Sequence, residues 1–336
     1  MILFYIALFI ITLIATYVVR HYFYRHTILD IPNARSAHSL PTPRGGGFAF
    51  VVFFYISLAW FWYRGDIHNP LFFALLGGLI VAFIGFLDDL YHVPPIWRIS
   101  MHTVASIWGL SCLGGLSSIW LGDATWSSSW LFLLGVLTTL WVINLYNFMD
   151  GIDGIATVEG ISVALSLCVL LKFHADILPV LYTLIAVLLG FLVWNWPPAK
   201  IFMGDIGSGF LGYIFAIMMW HTNITRALPL PVWFILFAVF LGDASFTLMH
   251  RLKRKKRWYD AHNEHLYQRL ARTGMSHTQV TTGIFFINLA ILLPAAKFYT
   301  KIPSFLLESL YAGSIFLLCW IIWYTLLRKT GKFMES

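Results

Sequence analysis

Apolar runs about as long as a bilayer is thick recur along the whole of this chain, and no other feature of the sequence restricts its fold so strongly. Eleven can be traced, at 2–19, 46–63, 70–87, 101–118, 129–146, 155–172, 177–194, 206–221, 231–249, 279–296 and 305–327. A helix needs roughly 20 predominantly apolar residues to cross the hydrocarbon. The 336 residues are 59% hydrophobic and only 11% charged, with a mean hydropathy of +0.77, which excludes a soluble globular domain. The expected fold is all-α: one integral-membrane domain, residues 1–336, of about eleven transmembrane helices. The first run lacks a basic start and a small-residue cleavage site, and Arg20 and Arg25 follow it, so it reads as a retained anchor rather than a signal peptide. Cys112, Cys168 and Cys319 lie inside runs without CxxC spacing and read as small apolar residues.

Basic residues orient these spans. With the N-terminus outside, 17 of the 22 Lys and Arg fall in cytoplasmic loops, eight of them in 251–278. That is a strong positive-inside bias. The same orientation brings three groups of carboxylates to the cytoplasmic ends of apolar spans: Asp88 and Asp89 in GFLDDL, Asp150 and Asp153 in NLYNFMDGIDG, and Asp205 in FMGDIGSG. A charge at the bilayer centre costs ~3 kcal/mol on insertion scales, so acids in this position usually serve an ion, a proton path or chemistry. Gathered on one face, they predict a polyanionic, metal-dependent site.

The cytoplasmic loops carry nearly every unusual residue. In RSAHSLPTPRGGGFAF, Pro41 and Pro43 stiffen the chain, Gly45 to Gly47 permit close backbone approach, and Arg35, His38 and Arg44 are candidate phosphate donors. Asp88 and Asp89, adjacent on a helix end, should point about 100° apart, one toward a metal and the other toward substrate or a basic partner. Asn144, Asn147 and Asp150 recur at three-residue spacing and predict one polar stripe, with Gly151 and Gly154 breaking the helix beyond it. Amides and carboxylates together suit a nucleobase, a ribose or a magnesium shell. Asp150-Gly151-Ile152-Asp153 lacks the alternating ligands and terminal Glu of a calcium loop. Asp205 opens the next span, where the helix dipole favours a negative group, with Phe202 beside it as a candidate base-stacking ring. His262 and His265 at i, i+3 predict a shared helical face with Arg269 one turn on, a cradle for a pyrophosphate or lipid phosphate. HNEH lacks the i, i+4 spacing of a zinc helix. Asp and Asn beside His and Arg is the combination that magnesium and a diphosphate substrate require.

With those residues in view, the chain resembles the polyprenyl-phosphate N-acetylhexosamine-1-phosphate transferases of glycosyltransferase family 4, the superfamily of the MraY and WecA types. Five motifs in order carry the resemblance: PTPRGGG, GFLDDL, NLYNFMDGIDGIA, NWPPAKIFMGDIGSG and AHNEHLYQRL. It looks most like the WecA and WbpL branch, which begins O-antigen and other surface polysaccharides. The MraY pattern has three adjacent His in the last loop, whereas Asn263 and Glu264 separate His262 from His265 here, which argues against a muramyl-pentapeptide donor.

The resemblance implies a bacterial inner-membrane enzyme, dependent on Mg2+ with Mn2+ as a possible substitute, that uses undecaprenyl phosphate and a UDP-N-acetyl sugar. The lipid phosphate attacks the β-phosphorus, UMP leaves and undecaprenyl-diphospho-sugar remains. It implies Asp205 as magnesium ligand supported by Asn144, and Asp88 as candidate base with Asp89 beside it. Asn147, Asp150, Asp153, Asn195 and Phe202 would face the nucleotide sugar, and His262, His265, Arg269, Arg44 and His38 the phosphates. Membrane lipids, no nucleic acid and a homodimer are the expected partners. A phosphate monoester is already mostly dianionic near neutrality, its second pKa being ~6, so metal and positioning can supply most of the catalysis. The rival from another class is an ion-coupled transporter, which predicts acids at mid-span; Asp243, inside the ninth run, speaks for it.

Overall fold

The structure is a computed structural model and describes residues 1–32, 40–172, 174, 176–255 and 263–335. Arg35, His38 and His262 therefore lie outside the described residues. The chain is mostly helical, in this order: α1 (Ile2–Arg25), a two-residue ribbon of β1 (Leu29–Asp30) with β2 (Thr42–Pro43), α2 (Gly47–Tyr63), α3 (Asn69–Tyr91) and α4 (Pro95–Cys112). An antiparallel hairpin of β3 (Ser118–Trp120) and β4 (Thr125–Ser127) follows, then α5 (Leu131–Phe148), α6 (Ile155–Leu170), α7 (Leu178–Asn195) and α8 (Gly204–Ile224). The last part comprises α9 (Leu230–Leu236), α10 (Ala238–Lys253), the short α11 (Leu266–Arg272), α12 (His277–Ile287), a π-helical turn (Asn288–Leu292), α13 (Leu293–Tyr299) and α14 (Phe305–Glu335).

Among the described residues six helices are long and apolar enough to cross a membrane, and α9 with α10 makes a seventh span if the bent pair is counted as one. The chain is a polytopic membrane protein. Two runs fold differently from the expectation. The ninth, 231–249, is bent by 82° between α9 and α10. The fourth, expected at 101–118, is a helix over Pro95–Cys112. Pro95 sits at the first helical position, where its missing N–H loses nothing, so the helix begins in the polar stretch around Arg98, and the residues after Cys112 pass into the β3–β4 hairpin.

Helix α8 is the axis of the bundle. Every residue from Ile206 to Asn223 is buried, and its neighbours are α3, α5 and α2. Away from water each polar group needs a partner inside the protein, and those on α8 have them. The Tyr213 hydroxyl donates to the Ala74 carbonyl of α3 at 2.7 Å and reaches that of Ala105 of α4 at 3.1 Å. The Trp220 indole of α8 donates to the Thr139 hydroxyl of α5. The Asn223 side chain exchanges two hydrogen bonds with the Trp120 backbone, tying the far end of α8 to β3. A helix pinned along its length in this way holds its first turn still.

Candidate active site

The first turn of α8 meets the last turn of α3. Gly85 makes the approach possible: a Cβ there would lie 2.4 Å from the Asp205 carbonyl oxygen. Four residues on, Asp89 turns both carboxylate oxygens to the free N–H groups of α8, taking the Asp205 N–H at 2.9 Å and the Ile206 N–H at 3.2 Å. The helix is thus capped from another helix. Asp89 takes the place of an N-terminal cap, and the Asp205 carboxylate turns to arginines. Gly204 precedes it at φ +75°, in the left-handed region that favours glycine.

Two arginines, Arg44 from the loop before α2 and Arg98 from the first turns of α4, close a circuit through three carboxylates. Arg44 donates from Nε to Asp89 Oδ1 at 2.7 Å and from Nη2 to Asp205 Oδ1 at 2.8 Å. Arg98 donates from Nη1 to Asp88 Oδ2 at 2.7 Å and from Nη2 to Asp205 Oδ2 at 3.0 Å. The second oxygen of Asp88 accepts the Val93 N–H at 2.7 Å. The alternation Asp89–Arg44–Asp205–Arg98–Asp88 leaves one net negative charge, and the side chains are 1% (Asp89) to 28% (Arg44) exposed. Burial alone would lower the pKa of Arg44, but Asp205 and Asp89 outweigh it and raise it, so the guanidinium stays charged. Asp88 and Asp89 diverge as the helical turn requires, each with its own basic partner. Arg98 was not among the expected site residues. Its signal in the sequence was a lone cation just after Pro94 and Pro95 at a cytoplasmic boundary.

The third loop faces this circuit. Asn147 donates to the Ser208 hydroxyl at 3.0 Å and lies within reach of Asp205. Asn144, one turn earlier on α5, is half-buried and donates to the Leu140 carbonyl at 2.7 Å. The helix ends at Phe148, so Asp150 stands beyond the stripe rather than within it. Burial, together with the charges of Asp205 and Asp89, raises the Asp150 pKa well above the ordinary carboxylate range despite the opposing charge of Arg44. Asp153 is held from two sides, by the Ala199 N–H at 3.0 Å and by His277 Nδ1 at 3.2 Å. Asn195 is buried, with its oxygen taken by Thr157 and its amide donated to the Ile201 carbonyl; it braces the loop that delivers Asp205. Phe202 lies in that loop, and its backbone zips to Pro43 and Gly46 of the first loop.

The fifth loop arrives differently from the expectation. α11 begins only at Leu266, with His265 extended ahead of it at φ −60°, ψ 145°, so His265 precedes the helix that carries Arg269. Asp243 of α10 caps α11, accepting the Leu266 and Tyr267 N–H groups at 2.8 and 3.1 Å, and also takes the Trp323 indole. The Tyr267 hydroxyl then donates to the Phe148 carbonyl, docking α11 on the third loop. His265 is buried against Phe148 and Tyr267, and that burial lowers its pKa. Arg269 donates from Nε to the Glu264 carbonyl.

Carboxylate and amide oxygens are the donors a magnesium ion takes, and Asp88, Asp89, Asp205 and Asn144 supply them, so the residue types fit. The carboxylate oxygens are already engaged by guanidinium and backbone groups, and among the described residues no group of three His, Cys, Asp or Glu side chains is arranged to hold a metal ion. On the membrane side, an apolar cavity of about 400 Å³ opens between α5, α8 and the bent pair, lined by Leu137, Trp141 and Leu145 and by Phe215, Met219 and Trp233.

The sequence profile of glycosyl transferase family 4 matches residues 71–223, which include Asp88, Asp89, Asn144, Asp150, Asp153, Asn195 and Asp205. A probable undecaprenyl-phosphate N-acetylglucosaminyl 1-phosphate transferase of Bacillus subtilis is 28% identical over 311 residues, with 86% of this chain and 84% of that protein aligned. A decaprenyl-phosphate N-acetylglucosaminephosphotransferase of Mycolicibacterium smegmatis is 31% identical over 320 residues, with 82% and 76% aligned. A phospho-N-acetylmuramoyl-pentapeptide-transferase of Streptococcus thermophilus is 34% identical over 198 residues, with 53% and 58% aligned.

Proposed function

The chain belongs to glycosyl transferase family 4, and on that premise we propose that it transfers an N-acetylhexosamine 1-phosphate from a UDP-sugar to undecaprenyl phosphate, releasing UMP. The reaction takes place at the cytoplasmic face of a bacterial inner membrane and begins an O-antigen or a related surface polysaccharide. The observation that carries this reading is the meeting of Asp88, Asp89 and Asp205 with Arg44 and Arg98 at one end of a bundle whose helices α5 and α8 also line an apolar cavity. Acids and cations at a membrane boundary suit a phosphorylated lipid and a nucleotide diphosphate; the cavity suits the prenyl chain. Eleven spans with the N-terminus outside accord with the charge bias and bring all five site loops to the cytoplasm.

Asp205 and Asn144 would hold a magnesium ion, with Asp88 adjoining Asp205. Bound there, the metal would supply charge neutralisation at the diphosphate, and manganese would serve in its place. Arg44 and Arg98 orient phosphate oxygens by paired N–H donation. Asp150, Asp153 and Asn147 bind the nucleotide sugar, with Asn195 and Phe202 shaping the loop behind it. His265 contributes an N–H rather than a charge near pH 7, and Arg269 stands beside it. Asp88 sits where it can accept any remaining proton of the lipid phosphate, which then attacks the β-phosphorus directly.

The test is UMP release by purified protein supplied with undecaprenyl phosphate, magnesium and a panel of UDP-N-acetyl sugars, beside Asp205→Asn and an EDTA control. Lipid- and metal-dependent release that the variant lacks is the expected result. The panel includes UDP-N-acetylmuramoyl-pentapeptide, because the Streptococcus relative is identical at 34% of aligned positions; turnover of that donor alone would transfer the proposal to peptidoglycan. No UMP from any donor, with folded protein, would overturn it.

A further inference from the structure

Arg20, toward the end of α1, and Lys200, in the loop that delivers Asp205, are drawn to one indole. The Arg20 Cζ lies 5.6 Å from the centroid of the Trp194 ring on α7, and Lys200 Nζ lies 5.4 Å from it, both within reach of a cation–π contact. The ring itself is fixed: its Nε1 donates to the Leu13 carbonyl at 3.0 Å, and Tyr17 packs on it at 5.5 Å. Arg20 also donates from Nε to the Lys200 carbonyl at 3.1 Å. Among the described residues no carboxylate pairs with either cation. Two like charges gathered at one ring repel each other, and their joint field favours an anion beside them. The surroundings say which anion. Both α1 and α7 are long and apolar enough to span a membrane, and the two cations sit where these helices end, among exposed Tyr17, Tyr22 and Trp196. Such rings mark headgroup depth. Along the same two helices lies an apolar groove of about 440 Å³, with Phe9 and Leu189 at its near end. From Arg20 to Phe9, α1 runs about 16 Å, close to half of a hydrocarbon core ~30 Å thick. Neither helix lines the cavity assigned to the prenyl chain.

We propose that Arg20 and Lys200 form a headgroup site for an anionic phospholipid of the bilayer, whose phosphate takes both cations while an acyl chain follows α1 and α7 toward the groove. The site is separate from the Asp88–Asp205 circuit and does not depend on the transferase reading. It does touch the loop that carries Asp205. The Lys200 N–H donates to the Trp194 carbonyl at 2.8 Å, and Asp153 accepts the N–H of neighbouring Ala199 at 3.0 Å. A bound headgroup therefore braces that loop from the lipid side. Each basic residue close to a membrane surface adds enough attraction for anionic lipid to change its affinity about fivefold.

The experiment is native mass spectrometry of the purified full chain, titrated with phosphatidylglycerol, phosphatidylcholine or undecaprenyl phosphate. It compares wild type with Arg20→Gln, Lys200→Gln, the double variant and Lys301→Gln, the last an exposed cation at the opposite end of the bundle. Size-exclusion profiles establish that each variant is folded. Wild type should bind phosphatidylglycerol about tenfold more tightly than phosphatidylcholine. Each single substitution should raise the Kd for phosphatidylglycerol about fivefold and the double substitution more, while Lys301→Gln leaves it unchanged. A double variant that binds phosphatidylglycerol as tightly as wild type does, or a wild type that does not distinguish the two phospholipids, overturns the proposal. If undecaprenyl phosphate displaces phosphatidylglycerol from wild type and loses affinity in the same variants, the site belongs to the acceptor lipid and its assignment to a bilayer lipid is overturned. Should the double variant fail to fold, the two single variants decide.

Discussion

Asp89 is usually the kind of residue a sequence reader assigns to chemistry, but its geometry predicts that removing it unfolds part of the protein. Both its oxygens accept N–H groups from the first turn of α8, and one also takes Arg44 at 2.7 Å, with the side chain 1% exposed. Losing a helix cap costs about 1 kcal/mol. Losing a hydrogen bond to a charged group costs about 1.5–3 kcal/mol. The lower half of that range applies here, because Arg44 keeps Asp205 and is 28% exposed. Asp89→Ala should therefore destabilise the protein by about 3 kcal/mol. Asp89→Asn keeps one oxygen for one backbone donor, loses the ion pair and should cost about 1.5–2 kcal/mol. Reversible unfolding in mixed SDS micelles gives the free energies, and hydrogen–deuterium exchange of the peptide covering 203–210 gives the location. Both variants should exchange faster there, the alanine more so. A loss below 1 kcal/mol for Asp89→Ala, or unchanged exchange at the start of α8, would refute the capping argument and return Asp89 to a purely chemical role.

Three further outcomes follow from the same coordinates. Gly85→Ala places a Cβ 2.4 Å from the Asp205 carbonyl oxygen, with helix backbone on both sides. It should cost about 1–3 kcal/mol and abolish most UMP release in the folded fraction, and wild-type turnover would show that α3 and α8 can part harmlessly. Asn288, at the π-helical turn, donates to Glu159 at 2.6 Å and Ser162 at 2.8 Å in a fully buried setting. Asn288→Leu should destabilise by about 2–3 kcal/mol by stranding a carboxylate, while the double variant with Glu159→Leu should recover much of that loss in the same unfolding assay; a double variant worse than the single one refutes the pairing. Because burial and neighbouring carboxylates raise the Asp150 pKa, the folded state binds a proton more tightly there than the unfolded state does. That residue's contribution to stability is fully present below the unfolded pKa and lost as pH rises toward the folded one. The melting-temperature gain of Asp150→Asn over wild type should therefore be larger at pH 8 than at pH 5, and a gain that shrinks with pH refutes it.

What the sequence made legible was where charge sits relative to hydrocarbon. An acid at the end of an apolar run is visible one-dimensionally, and the positive-inside bias places all such ends on one face, so Asp88, Asp89, Asp150, Asp153 and Asp205 could be grouped before any fold was known. Which atoms meet was not legible. Arg44 and Asp205 are 161 positions apart, and nothing in either motif says that the arginine of one loop closes on the carboxylate of another. The capping of α8 was not legible for a similar reason: a sequence shows the acid nearest a helix start, whereas the N–H groups donate to whatever acceptor packs against them, here Asp89 from α3. In the fifth loop, the i, i+3 spacing assumed a helix already running at position 262. The helix starts where Asp243 caps it, at Leu266.

That cap also decides what Asp243 means for the rival reading. A transporter needs intramembrane carboxylates that exchange an ion or proton with an aqueous path, so their oxygens must be free for the cargo at some stage. The Asp243 oxygens accept two backbone N–H groups, the Thr247 hydroxyl and the Trp323 indole, and releasing them would undock α11 from the third loop through Tyr267 and Phe148. Glu159, fully buried, is clamped between α6 and the π-helical turn by Asn288. Asp205 differs in kind. Its partners are side chains, Arg44 from the loop before α2 and Arg98 from the first turns of α4, each with a second anchor to fall back on, with Asn147 within reach. Those ligands can change without uncapping a helix, and that is the property an enzyme needs where it must admit and release charged groups at every turnover.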